Sequence, residues 1–274
     1  MTDHRNLQRT LFRMQIDPSF CRSILDGDPA ALATTGLDAH SRSLLASVEA
    51  RAVLADPGGK RRLQVLGNAA SEYVVTLVAA AADERSASLL ADFGSSPEFH
   101  TAMTSERGLP LAFGDHALRH AAETRDTLLG ALAALELALV QLRRAEDASP
   151  SVPAGAVALS GNARVLALPR GAHDAAVALR EALDRGTTPE RPSLDSGEEE
   201  QLLLVASERS SPFRLREVEV ELLGPPADGL FVHLARGPLA SAERERFARE
   251  HGADPRDLEG FLDGFVADGV LLRG

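Results

Sequence analysis

The strongest constraint on this fold is a change of hydrophobic period partway along the chain. Up to Asp147, apolar residues recur at spacings of three and four. Beyond the segment Ala148-Ser149-Pro150-Ser151-Val152-Pro153, period-two alternation appears as well. The first pattern puts one apolar stripe on each helix, and the second puts alternate side chains on the two faces of a strand. A chain of 274 residues is long enough for two cores of ordinary size. The expected architecture is therefore α+β. An all-helical domain spans 1–147, and 148–274 holds a small sheet followed by a three-helix unit.

Within the first half, Leu7, Leu11, Phe12 and Met14 form a stripe that ends at Asp17-Pro18. Phe20, Ile24 and Leu25 mark a second, short helix. Asp26-Gly27-Asp28-Pro29 and Asp56-Pro57-Gly58-Gly59 read as stops and restarts. Between them a helix is expected to carry Leu44, Leu45, Val48, Val53 and Leu54. The segment from Arg61 to Ala82 is the most apolar and reads as a core helix. Asp115 to Glu146 reads as one long helix despite Gly130.

In the second half, Val157–Leu159 and Arg164–Leu168 predict two short strands around Ser160-Gly161-Asn162. Ala172 to Asp184 predicts a helix. Glu199–Ser207 and Phe213–Leu222 predict a hairpin across Arg209-Ser210-Ser211-Pro212. Its second strand alternates, with Val218, Val220 and Leu222 facing one way and Glu217, Glu219 and Glu221 the other. This implies a half-buried sheet, one face on a helical core and one in water.

The last 36 residues carry two helical runs. The first is Ser241–His251; the second holds Leu258, Phe261, Leu262, Phe265 and Val266, and is followed by a turn into Val270-Leu271-Leu272. That order resembles the end of a winged helix. A DNA reader would bear Arg or Lys on the second helix, but this one bears Asp254, Asp257, Glu259, Asp263 and Asp268 against Arg256. The formal net charge of −11 is shared by both halves, with 19 acidic against 15 basic residues over 1–150 and 21 against 14 over 151–274. Nucleic acid and anionic membranes are therefore poor partners. No apolar run reaches the roughly 18 residues of a membrane span. The polar start and the lone Cys21 point to the cytosol, with no signal peptide and no disulfide framework.

Phosphate loops, dinucleotide fingerprints, nucleophile elbows and zinc-protease motifs do not occur. His116, His120 and Glu123, at i, i+4 and i+7, form the best set of metal-ligand types on a shared helix face, but an ordinary polar face is the plainer explanation, since no supporting signature accompanies them. Cys21, beside Phe20 and Ile24, reads as a buried apolar residue, with no neighbouring base to lower its pKa.

The N-terminal pattern Leu7, Leu11-Phe12, Asp17-Pro18-Ser19-Phe20, Leu25, Asp28-Pro29 and Gly36-Leu37 resembles the helical module of a family of partner proteins. These serve multinuclear non-haem iron-dependent oxidative enzymes that modify ribosomally made peptides. The resemblance implies a non-catalytic chain with no cofactor of its own, the iron being held by the partner oxidase in a heterodimer. It also implies that the strand-bearing half binds the ribosomal precursor peptide by strand addition. The docking strands would hold Leu202, Leu204, Phe213, Leu215, Val218 and Val220, with Glu217 and Glu219 as an acidic stripe. The residues leave two other readings open: a winged-helix transcriptional regulator with a helical sensing domain, and a metal-dependent enzyme using His116, His120 and Glu123.

Overall fold

A computed structural model describes residues 2–47, 56–105, 107–145, 150–194, 197–207 and 215–274. Val48, Val53 and Leu54, the expected hairpin turn at 209–212, and Phe213 lie outside them. The architecture is α+β: the N-terminal region is helical, and small antiparallel sheets follow in the C-terminal part. Two compact units divide between Thr124 and Arg125.

The first unit holds α1 (Thr2–Ile16), α2 (Pro18–Leu25), α3 (Pro29–Ala33), α4 (Ala39–Ala46), α5 (Asp56–Ala70), α6 (Val74–Ala81), α7 (Leu89–Phe93), α8 (Pro97–Thr104) and α9 (Leu109–Thr124). Local sequence punctuates it. The carboxylates of Asp17, Asp28 and Asp38 and the hydroxyl of Ser96 accept from the first backbone N–H groups of α2, α3, α4 and α8. Three of these helices also start with proline, whose missing N–H costs nothing there. Met14, Phe20, Cys21, Ile24, Leu37 and Leu45 form one buried cluster. Tyr73, Phe93, Phe99 and Phe113 meet edge to face at 5.1–5.4 Å, contacts worth about 0.5–1.5 kcal/mol each beyond their buried area.

Two expected helices are broken. The 61–82 segment ends at Ala70 and restarts at Val74, with a bend of 113°. Buried Tyr73 occupies the corner and donates its hydroxyl to the Pro110 carbonyl at 2.8 Å. The 115–146 helix is likewise two: α9 ends at Thr124, and α10 (Thr127–Arg144) begins after Arg125, which takes a positive φ of 56°. Asp126 then caps α10 by accepting from the Leu129 N–H. Because α10 packs on the sheet, the division falls at 124/125 and not at the proline-containing segment after Asp147. Among the described residues no single helix is long and apolar enough to cross a membrane.

The second unit continues with β1 (Val157–Leu159), β2 (Ala163–Pro169), α11 (Ala172–Asp184), β3 (Glu199–Ala206), β4 (Val218–Leu223), α12 (Ala227–Arg236), α13 (Ser241–Glu250), α14 (Pro255–Ala267) and β5 (Leu271–Arg273). One sheet has the antiparallel order β2-β3-β4. The other pairs β1 with β5, and Leu239 bridges to Val157 on the remaining side. Both strands expected around Ser160-Gly161-Asn162 are present, and although adjacent in sequence β1 and β2 belong to different sheets. The C-terminal order is α12, Leu239, α13, α14 and β5, and the strand that completes its small sheet is β1, contributed from upstream.

The three-stranded sheet is covered on both sides, which corrects the half-buried expectation. Leu168, Leu202, Leu204 and Ala206 pack against Ala131, Leu135, Ala138 and Leu142 of α10. On the opposite side Leu203 and Leu223 pack with Leu230, Phe231 and Leu234 of α12 and Leu258 and Leu262 of α14. The unbroken apolar run from Leu202 to Ala206 in β3 is the sequence signature of a strand buried on both faces. Only edge strand β4 keeps the alternating pattern, because water reaches its glutamates.

Candidate functional site

Strand β4 is an edge of its sheet, and its backbone directions follow from the register. Ser207 N donates to the Glu217 carbonyl, so 217 and 207 form a hydrogen-bonded pair. Along the antiparallel ladder such pairs alternate with non-bonded ones. Glu219, Glu221 and Leu223, opposite Val205, Leu203 and Gln201, therefore direct their N–H and C=O groups inward to β3. Val218, Val220 and Leu222 direct theirs outward, where no strand pairs with them among the described residues. The other edge, β2, is poorer in donors: Ala163 N is spent on the Ser160 carbonyl, and Pro169 has none.

The two sides of this edge differ in chemistry. Toward α10 the surface is apolar, with Val218 and Val220 half-buried in the α10 cluster and Leu222 exposed. On the opposite side lies a cavity of about 230 Å³ lined by Asn162, Val205, Ser207, Glu217, Glu219 and Asp268. Glu217 N is held by the Ser207 hydroxyl at 3.2 Å. Among the described residues three carboxylates line that cavity and no cation does.

The expected peptide-contacting residues are placed as follows. Val218, Val220, Glu217 and Glu219 are on or beside the free edge, and exposed Leu215 precedes it. Leu202 and Leu204 are fully buried in middle strand β3, so they support the edge from behind and present no surface to a ligand. Phe213 lies outside the described residues. Asp268 and Asn162 were missed. They come from distant turns, and no local pattern links them to β4.

The His116, His120 and Glu123 set is not arranged around a vacant centre. Buried His116 donates from Nε2 to the Leu89 carbonyl at 3.1 Å, and its Nδ1 accepts from Arg119 Nη2 at 3.0 Å. Arg119 also binds Glu123 at 2.8 Å and Glu98 at 2.7 Å. Both His116 nitrogens and the Glu123 carboxylate are therefore engaged, and His116 is pushed down from the ordinary imidazole pKa by burial and by the adjacent Arg119 charge. No group of three or more His, Cys, Asp or Glu among the described residues could hold a metal ion.

Helix α14 is acidic but partly neutralised within the fold. Arg244 reaches Glu259, and Arg273 reaches both Glu259 and Asp263. Asp257 in its first turn remains acidic, and Arg256 is the one basic residue in the helix sequence. No protein-family model matches the chain, and no curated protein matches it in sequence.

Proposed function

We propose that this chain is a non-catalytic partner protein. It binds a ribosomal precursor peptide by strand addition along β4 and presents it to a separate multinuclear iron-dependent oxidase. The observation that carries the reading is the open edge at Val218, Val220 and Leu222, three residues that each offer one outward donor and one outward acceptor. Each bond made there contributes about 1 kcal/mol net, so strand addition alone gives modest affinity and side chains must supply the rest.

The flanking chemistry narrows the guest. An added strand would direct alternate side chains toward the apolar α10 side and toward the carboxylate-lined cavity. An alternating apolar and basic segment fits. A second copy of β4 does not, because its own Glu219 and Glu221 would oppose like charges across the new ladder. The oxidase and the ribosomal origin of the peptide rest on the family resemblance of the helical half.

The test is a pull-down of the full chain with the iron enzyme and short peptide encoded beside its gene, read by mass spectrometry. Recovery of both supports a delivery partner. Recovery of neither overturns the reading.

A further inference from the structure

A separate feature sits in the first unit. Helix α1 carries Arg5, Arg9 and Arg13 at intervals of four, along one face. Arg9 and Arg13 line a cavity of about 140 Å³ together with Thr10, Thr34, Phe20 and His100. Among the described residues no carboxylate lines it, although the chain as a whole carries a net charge of −11.

Arg13 is held there by a part-buried relay that ends on buried Asp17. Its guanidinium carbon lies 3.7 Å from the Phe20 ring centroid, a cation–π contact. Its Nη2 lies 2.9 Å from His100 Nδ1. A guanidinium can only donate, so Nδ1 accepts and the ring proton sits on Nε2, which donates to Asp17 Oδ2 at 3.0 Å. The other Asp17 oxygen accepts from the Ser95 hydroxyl and from the N–H groups of Ser19 and Phe20. The aspartate charge is thus spent behind the imidazole, one ring away from the cavity.

The guanidinium keeps unused donors. Arg13 Nε is buried with no hydrogen-bond partner, and Nη1 has none among the described residues. Arg9, one turn earlier, is exposed and makes no ion pair among the described residues. A preoriented fork beside a second arginine, over a cavity with polar and apolar walls, matches the needs of an oxygen anion.

We infer that this cavity binds a small oxyanion, a phosphate or a carboxylate group, held by Arg13 Nη1 and Arg9. The site is distinct from the β4 edge and does not depend on the peptide reading. Its ligand reaches guanidinium donors that make no direct ion pair with a carboxylate among the described residues, the Asp17 charge acting on Arg13 only from behind His100.

Calorimetric titration of the full chain with inorganic phosphate, and separately with glutarate, each to about 10 mM, tests this over the range where a weak single site is visible. Saturable one-site binding is expected, weakened about tenfold by Arg9→Gln and more by Arg13→Lys, each read against the wild-type fold by circular dichroism. Binding of phosphate alone assigns a phosphoryl ligand, and binding of glutarate assigns a carboxylate. Binding of neither overturns the site. So does an Arg9→Gln variant that binds as wild type, and because Arg9 is exposed this arm does not depend on Arg13 variants folding. Val220→Pro, which disables the β4 edge, leaves the titration unchanged.

Discussion

Arg244 donates from Nε to Glu259 at 2.6 Å, joining α13 to α14, while its Nη1 reaches the carbonyls of Gly155 and Leu239 at 3.0 and 3.1 Å. One buried guanidinium thereby ties both helices to the backbone beside β1. Arg273 closes the set from β5 onto the other Glu259 oxygen. Burial acts to raise the Glu259 pKa, but the hydrogen bonds and charges of Arg244 and Arg273 together hold it below its ordinary carboxylate value.

Arg244→Met keeps the packed stem but strands two carbonyls and one oxygen of Glu259, whose other oxygen keeps Arg273. Because Glu259 is partly open to water, the expected cost is about 2–3 kcal/mol, at the lower end for a broken buried pair. Urea unfolding checks it. An unchanged midpoint would show that the two helices are held by their apolar contacts alone.

Val220→Pro and Glu219→Pro separate edge from ladder. Val220 N points outward, so its loss spares the β3 pairing and lowers stability by about 1 kcal/mol; the Glu219 N–H is a ladder bond, and its removal costs about 3 kcal/mol. Under the proposed function, Val220→Pro remains folded and loses peptide binding at least about tenfold in an anisotropy titration. A folded variant with wild-type affinity would exclude strand addition at β4.

Glu98 gives a pH signature. Burial acts to raise its pKa, but hydrogen bonds from Arg119 and that residue's charge bring it down from 4.5 to about 2. A folded pKa below the unfolded one adds stability that is present above pH 4.5 and lost as pH falls toward 2. The stability difference between wild type and Glu98→Gln should therefore shrink by about 2 kcal/mol across that window. Denaturant titrations at successive pH values measure it, and a constant difference would contradict the Arg119 pairing.

Arg125→Gly addresses the break between α9 and α10. A left-handed backbone costs a side chain about 1–2 kcal/mol, while glycine gives back about 0.5–1 kcal/mol through the unfolded chain. A net gain near 0.5 kcal/mol is expected in thermal unfolding. A loss would mean that the exposed Arg125 side chain contributes more than its conformation costs.

Cys21 should resist alkylation in the native protein. It is fully buried, and burial raises its thiol pKa. Mass spectrometry after brief iodoacetamide treatment should find label only once denaturant is added; stoichiometric native labelling would contradict the packing of α2.

Elements whose information is local can be read directly from neighbouring residues. Asp17-Pro18, Asp28-Pro29 and Asp254-Pro255 announce capped helix starts because cap and first turn are adjacent in the chain. The β3–β4 pairing and the α12–α14 order were legible from period and turns for the same reason. Some of the breaks had local signals that stronger periodicity overrode: Asp126 is a capping residue, but the apolar stripe runs on past it. Tertiary structure alone decided the rest. Whether the sheet has one buried face or two depends on what packs against β3, and which strand completes the β5 sheet depends on where β1 is delivered. The Asp17–His100–Arg13 relay spans 87 residues, and the cavity beside β4 joins Asn162 to Asp268. Hydrogen bonds and charges act over a few ångströms of space, so such groupings leave no trace in a local pattern and exist only once the chain has closed its loops.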